Sequence, residues 1–184
     1  MGTVKVVIVF ESMFGNTSAL AGDVMAGLDD AGADITLADV ATAPRQVLLG
    51  CDLVVLAAPT HALTLSRPES RAEAVDKGAD PAHAATGLRE WLTTLAASLP
   101  VTSSRPSIAV FDTRVRKARH LPGSAARSVA RTLGKSGFAV VDRTSFYVEG
   151  ITGPVTPGEH EQARAWGRGL AGLVRPGAPT QGVC

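Results

Sequence analysis

The feature that most constrains the fold of this chain is the alternation of short apolar runs with amphipathic stretches. Runs enriched in β-branched residues occur at residues 4–10, 34–37, 53–58, 107–111 and 138–141, and they predict five strands. Between them, apolar residues recur at helical spacing, as at Leu20, Val24 and Leu28. Nearly continuous apolar strands that alternate with helices are typical of a parallel sheet covered on both faces. We therefore predict an α/β three-layer sandwich.

Residues that start and stop helices agree with this alternation. Thr17 or Ser18 is a candidate N-cap for the first helix, and Gly32 a candidate for its end. Ser124 and Gly137 have the same roles for the helix that follows the fourth strand. The chain thus contains five successive strand–helix units.

Two longer segments interrupt the rhythm, at residues 64–86 after the third strand and at residues 112–123 after the fourth. The pattern from Ser70 to Glu73 resembles a capping box and predicts a short helix within the first segment. A weaker helix is predicted at residues 44–49. We expect residues 1–174 to form one domain and the Gly- and Pro-rich residues 175–184 to form a flexible tail.

Composition limits the class of protein. With 184 residues and 45% hydrophobic content, the chain can build a core without disulfides. Its net charge of +1 and the lack of interleaved aromatic residues argue against nucleic-acid binding. No apolar run approaches the roughly 20 residues of a membrane span, and the first strand begins too early to leave room for a secretory signal. We expect a cytoplasmic protein that does not bind membranes.

Cysteine and histidine give no sign of a metal site. Cys51 and Cys184 are too few for a disulfide framework or a zinc site, so we expect two thiols. The four histidines never occur at the close spacing that places two on one helix face.

The loop at residues 11–17 joins the first strand directly to the first helix. Ser12, Asn16 and Thr17 supply short polar side chains, and successive backbone N–H groups precede the helix N-terminus. Such donors, together with the helix dipole, suit a phosphate without any Lys or Arg, and Gly15 permits the tight turn. The alternative is a capped helix start without a ligand. The position after the first strand of a parallel sheet favours the phosphate.

Ser12-x-x-Gly15-Asn16-Thr17 after a first strand resembles the phosphate loop of flavodoxins. The resemblance covers roughly residues 4–174. It is supported by the five strands, by Phe146-Tyr-Val148 before a Gly- and Pro-rich turn, and by a final helix that begins near Gly158. It implies a flavodoxin-like fold with sheet order 2-1-3-4-5 and FMN as the cofactor.

The resemblance also implies where FMN lies. The loop after the first strand would bind the phosphate, and the loops after the third and fourth strands would flank the flavin ring, with Thr60 and His61 the strongest candidates in the third-strand loop. The implied cofactor-binding residues are Ser12, Met13, Phe14, Gly15, Asn16, Thr17, Pro59, Thr60, His61, Ala62, Asp112, Thr113 and Arg114. No catalytic residue and no metal ligand is implied.

The chain departs from the flavodoxin pattern in three ways. Neither flanking loop contains the usual Trp or Tyr, so His61 or Phe14 would have to take its place against the ring. Residues 57–61 lack the glycine that flavodoxins commonly place there. Where flavodoxins tend to be acidic, four cations, Arg114, Arg116, Lys117 and Arg119, cluster in one predicted loop. That cluster is either a solvated surface segment or an attractor for an acidic partner, a nicotinamide phosphate or a carboxylated substrate.

Two other patterns are interpreted as packing. The GxGxxG at residues 167–172 follows helical sequence without a preceding strand, so we expect close helix contact and not a dinucleotide site. Trp91 and Trp166 lie on apolar helix stripes and are expected in the core.

Three functions remain open at this point. The first is an FMN-binding electron carrier that exchanges electrons with a redox partner protein or a small acceptor. The second is an FMN-dependent NAD(P)H:quinone-type reductase, in which residues 64–86 wall a substrate pocket. The third is a flavodoxin-like binding module that has lost the flavin. We favour the first of these functions, an electron-transfer flavoprotein, over a classical enzyme.

Overall fold

The computed structural model describes residues 2–44, 50–98 and 105–176. It contains one parallel five-stranded sheet in the order β2-β1-β3-β4-β5. The strands are β1 (Lys5–Phe10), β2 (Asp34–Asp39), β3 (Leu53–Pro59), β4 (Ser107–Val115) and β5 (Val140–Val148). The predicted α/β class and strand order are confirmed. The predicted tail falls largely on residues 177–184, and the weak helix on residues 45–49, both outside the described residues.

Five helices cover the sheet and its carboxyl edge. They are α1 (Asn16–Asp30), α2 (Pro68–Asp76), α3 (Leu88–Ser98), α4 (Ala125–Lys135) and α5 (Glu159–Leu170). Because side chains alternate along a strand, Val7 and Val9 of β1 pack with α3 and α4, whereas Val6 and Ile8 pack with α1 and α5. The sheet is therefore buried on both faces, which explains its continuous apolar runs.

Helices α1 and α5 pack closely through two glycines. A Cβ atom on Gly27 would overlap the carbonyl oxygen of Arg164, and one on Gly167 would overlap the carbonyl oxygen of Val24. The GxGxxG pattern is thus a helix contact at Gly167, as predicted, while Gly169 has open space around it.

Trp91 belongs to the core, as predicted, whereas Trp166 is partly buried and packs against the core. Trp91 is buried and its indole N–H donates to the carbonyl of Ala43 at 3.1 Å. Trp166 packs edge to face on Phe111 and Phe146, with ring centroids 5.9 and 6.0 Å away.

Two strands are longer than their apolar runs. Strand β4 continues four residues beyond the predicted end, through Asp112, Thr113 and Arg114, which are polar yet buried. Strand β5 continues to Val148, and its polar residues are tolerated because an edge strand is only partly covered. The segment predicted as a loop from residue 112 therefore begins within the sheet.

Two predicted helix caps were wrong. Helix α1 begins at Asn16 after Gly15, whose φ of 86° makes it a left-handed N-cap, so Thr17 and Ser18 lie inside the first turn. The short helix in the first long segment exists, but it begins at Pro68, a residue preorganised for a first turn. Ser70 is its third residue and accepts the backbone N–H of Arg67 at 2.9 Å. The predicted cap Ser124 is confirmed, since it accepts the N–H of Arg127 at 3.2 Å.

None of the helices in the described parts of the chain has the length and apolarity that a membrane crossing requires. Cys184 lies outside the described residues, and burial raises the pKa of the Cys51 thiol to about 12.

Candidate functional site

A cavity of about 380 Å³ opens at the carboxyl ends of β1, β3 and β4. Ligands of open parallel sheets bind at this edge, where the winding reverses, and the volume is within the usual range for small-molecule sites. Eleven of the 13 predicted site residues line the cavity: Ser12, Met13, Phe14, Asn16, Thr17, Pro59, Thr60, His61, Ala62, Thr113 and Arg114. Gly15 and Asp112 are not among the lining residues.

The loop between β1 and α1 is built to receive an anion. The hydroxyl of Ser12 accepts the N–H of Ser18 at 3.2 Å, which closes the loop on itself. The successive backbone N–H groups of residues 13–17 have no acceptor among the described residues. These donors lie at the N-terminus of a 15-residue helix, where the positive end of the dipole adds to them. A phosphate would supply the acceptors that the protein does not.

A buried hydrogen bond joins this loop to the end of β4. The hydroxyl oxygens of Thr17 and Thr113 lie 2.8 Å apart, and both side chains are almost fully buried. The carbonyl of Thr113 also accepts the N–H of Thr60 at 2.9 Å. Thr113 therefore fixes the positions of the loops after β1 and β3 relative to each other.

The loop after β3 turns back within two residues. His61 and Thr64 exchange two backbone hydrogen bonds of 2.9 and 3.0 Å around Ala62 and Leu63, whose φ values of 44° and 65° are left-handed. This conformation matches the two-residue turns that normally use Asn or Gly. A residue of another type, such as Ala62 or Leu63, adopts it at a cost on the order of 1 kcal/mol each. Gly123 supports the turn, because a Cβ there would lie 2.5 Å from the carbonyl oxygen of Leu63.

The surroundings of His61 favour its neutral form. Burial lowers the pKa of His61, and the positive charge of Arg71 lowers it further. His61 and Phe14 supply the aromatic rings of the cavity lining. A neutral imidazole can pack against a planar ligand without the desolvation penalty of a charged one.

Asp112 and Arg114 organise the wall behind the cavity. The carboxylate of Asp112 accepts the N–H of Ala126 at 2.8 Å and so anchors the N-terminus of α4. Arg114 is buried and donates to the carbonyls of Ala118 and Leu121 at 2.8 and 2.9 Å. Of the predicted basic cluster, Arg114 thus holds the following loop in place, while the other three cations are exposed.

Helix α2 forms a wall of the cavity, and the site residues on it were not predicted. The lining residues missing from the sequence prediction are Leu63, Ser70, Glu73, Ala74, Lys77, Val115, Ala118, Val148 and Ile151. Met13 and Phe14 pack against Ala74 and Ala79, which fixes α2 over the loop at residues 11–17. The capping pattern indicated a helix here, but no local signal shows that it folds back onto residues some 60 positions earlier.

A buried polar network secures α2 and α3 below the cavity. Glu11 is buried, and its carboxylate accepts the N–H of Leu88, at the start of α3, at 2.7 Å. Arg71 of α2 is equally buried; it donates to the hydroxyl of Ser66 at 3.0 Å and pairs with Glu90 at 3.2 Å. Burial raises the pKa of Glu11 above its ordinary value. Among the described residues, no three His, Cys, Asp or Glu side chains cluster as metal ligands.

Several solved structures share this architecture. An archaeal flavodoxin superposes with a TM-score of 0.62 at 18% identity, over 92% of this chain and 97% of that one. The two-electron reduced flavodoxin of Megasphaera elsdenii gives 0.62 at 18% identity, over 91% and 98%. Rubredoxin oxygen:oxidoreductase from Desulfovibrio gigas gives 0.62 at 17% identity, over 92% of this chain but 36% of that one.

No family model matches the sequence, and no curated protein sequence matches it. At these identities the structural likeness shows the fold alone. The fold is flavodoxin-like, as the phosphate-loop resemblance implied.

Proposed function

We propose that the protein binds FMN in this cavity and acts as a redox protein through the bound flavin. The observation that carries the proposal is the run of unpartnered N–H groups at residues 13–17, which opens into a cavity of about 380 Å³ at the carboxyl ends of β1, β3 and β4. A phosphorylated, planar ligand fits both features.

Particular residues of the chain would hold the cofactor. The N–H groups of the loop, with the hydroxyls of Ser12 and Thr17, would bind the phosphate, since they are donors that need no cation. His61 and Thr60 would flank the flavin ring from the loop after β3, and Thr113 from the end of β4. Asp112 and Gly15 would act indirectly. Asp112 holds the N-terminus of α4, and Gly15 forms the turn that begins α1.

FMN supplies the electron-accepting and electron-donating chemistry when bound. The chain's own contribution is orientation and exclusion of water. The buried Thr17–Thr113 hydrogen bond holds the phosphate loop, and the turn at Ala62 and Leu63 closes against Gly123. Helix α2 covers the cavity from the side of Met13 and Phe14. Each of these elements restricts the ligand before any reaction takes place.

A reductase is the second candidate, because the cavity is walled by Ser70 and Glu73 of α2 and by Lys77, which follows the helix. Such a wall would give a small substrate a bounded place beside the ring. Oxidation of NAD(P)H by a quinone in the presence of the protein would favour the reductase. Absence of that reaction in flavin-loaded protein would favour the carrier.

The visible spectrum of the purified protein tests the proposal, before and after FMN is added in slight excess and removed by gel filtration. We expect flavin absorbance near one equivalent to be retained. Thr17→Glu, which places a carboxylate in the phosphate loop, should abolish retention, whereas Thr93→Glu on the exposed face of α3 should leave it unchanged. If the unaltered chain retains no flavin, the proposed function is wrong, and the protein is a flavodoxin-like module for another ligand.

A further inference from the structure

Charge is distributed unevenly along the chain. Residues 113–141 contain no Asp or Glu but hold seven of the 18 Lys and Arg residues. The remaining 11 Lys and Arg residues are set against all 17 Asp and Glu. The near-neutral net charge therefore hides one basic segment on an otherwise acidic molecule. Its cations are Arg114, Arg116, Lys117, Arg119, Arg127, Arg131 and Lys135.

The basic segment runs along the mouth of the cavity. It leaves the end of β4, passes Ala118 in the cavity lining and continues through α4. All its cations except Arg114 are exposed. Glu149 is 3.4 Å from Arg116, and in the described parts of the chain no carboxylate lies within ion-pair distance of Lys117 or Arg119. These charges are available to an outside partner.

Exposed apolar side chains lie at the same mouth. Leu63 and Ile151 line the cavity and are 38% and 61% exposed. Leu121 is 49% exposed, and its carbonyl accepts a hydrogen bond from Arg114, a residue of the cavity lining. Among the described residues, just one other large hydrophobic side chain, Leu173, is comparably exposed. Exposed apolar residues with a rim of charged residues are typical of a protein–protein interface.

We propose that a partner protein with an acidic surface docks over the cavity mouth. Its apolar centre covers Leu63, Leu121 and Ile151, and its carboxylates face Lys117 and Arg119. The proposal rests on the proposed function, because a docked redox partner would then face the bound flavin. Complementary charge of this kind accelerates encounter more than it tightens the complex, so a weak, salt-sensitive association is expected.

Protein fits this surface better than nucleic acid does. Base binding on a single strand uses aromatic side chains as stacking platforms beside the cations. Here Phe14 and His61 line the cavity. Among the basic segment's exposed residues the one aromatic ring is His120, beside Arg119, and a single ring does not form a stacking platform for successive bases.

The test measures equilibrium affinity of the full chain by isothermal titration calorimetry. The probes are an acidic [2Fe–2S] ferredoxin and a basic cytochrome c, each at about 20 and about 300 mM salt, since screening separates charge from other contacts. We expect binding of the ferredoxin only, weakened at least about tenfold by the higher salt. The double variant K117E/R119E should lose roughly tenfold in affinity at low salt.

The matched control is R131E/K135E, which makes the same change of charge about 9 to 15 Å along α4 from its first residue. Both double variants are also compared at about 150 mM salt, where the Debye length is about 8 Å, and there we expect the control to stay within about threefold of the unaltered chain. Equal losses in both double variants, or tighter binding of cytochrome c, would overturn the docking proposal. So would binding of phosphatidylserine vesicles or single-stranded DNA more tightly than ferredoxin.

Flavin retention is measured on the same samples, and the calorimetry itself needs no flavin. A chain that retains FMN without charge-dependent ferredoxin binding loses the docking proposal alone. A chain that binds ferredoxin as described but retains no FMN loses the proposed function and keeps the docking surface.

Discussion

Replacing Thr17 and Thr113 by valine, singly and together, tests how the phosphate loop is held. Their hydroxyls form a 2.8 Å hydrogen bond between side chains that are 2% and 5% exposed. Either single change leaves the other hydroxyl buried without its partner, which costs more than the hydrogen bond itself. We expect each single variant to lose about 1.5 kcal/mol of unfolding free energy.

The double variant should not lose the sum of the two. With both hydroxyls replaced by methyl groups of similar shape, no polar group is left unpaired, so we expect a loss smaller than that of either single variant, about 1 kcal/mol or less rather than about 3 kcal/mol. Urea denaturation of the flavin-free protein measures all three variants. Additive losses would refute the statement that this hydrogen bond couples the two loops.

FMN affinity separates the two threonines. Thr17 lies in the phosphate loop, so Thr17→Val should remove a charge-assisted hydrogen bond and weaken FMN binding by about tenfold or more. Thr113→Val should change the affinity by less than about threefold, since Thr113 is proposed to flank the ring, where valine keeps a similar shape, and not to bind the phosphate. Quenching of flavin fluorescence on titration gives both constants. Equal effects of the two changes would contradict the assignment of the phosphate to residues 12–17.

Further predictions concern stability. Gly167→Ala should destabilise the protein by about 3 kcal/mol or more in urea unfolding, because its Cβ would overlap the carbonyl of Val24; Gly169→Ala, which has open space around it, should stabilise slightly, and equal effects would contradict the close contact. Burial raises the pKa of Glu11 above its ordinary value of 4.5. Between the pKa of the unfolded chain and that of the folded protein, this carboxyl takes up a proton on folding, so the free energy of unfolding falls as pH rises from 4.5 to the folded-state pKa. Glu11→Gln can still accept the N–H of Leu88 and should therefore gain more relative to the unaltered chain at pH 8 than at pH 4; a gain independent of pH would contradict this origin.

The fold could be predicted from sequence because its core follows local rules. Residues such as Val54 and Leu56 are buried on a continuous apolar strand. In the helices between the strands, apolar residues recur with the 3.6-residue period of an α-helix. The carboxyl end of β4 could not be predicted this way. The residue type of Asp112 favours a loop, yet Asp112 is buried and one oxygen of its carboxylate accepts the N–H of Ala126. A local sequence pattern cannot reveal that partner.

The candidate site was predictable in part for the same reason. The loop at residues 11–17 is one continuous segment between a strand and a helix, so the sequence alone shows both its residue types and its position. The wall formed by α2 depends on packing of Met13 against Ala74 and on the buried side chain of Arg71. A sequence pattern predicts that an arginine in a polar segment is exposed. Only the folded structure, in which Arg71 bonds to Ser66 and Glu90, shows that it is buried.

The most direct test of the central claim compares the affinities of FMN and riboflavin for the purified protein. The two ligands share the flavin ring and differ by the phosphate that residues 12–17 are proposed to bind. With several N–H donors directed at that phosphate, we expect FMN to bind at least about 100-fold more tightly than riboflavin. Equal affinities, or failure of both ligands to bind, would contradict the account.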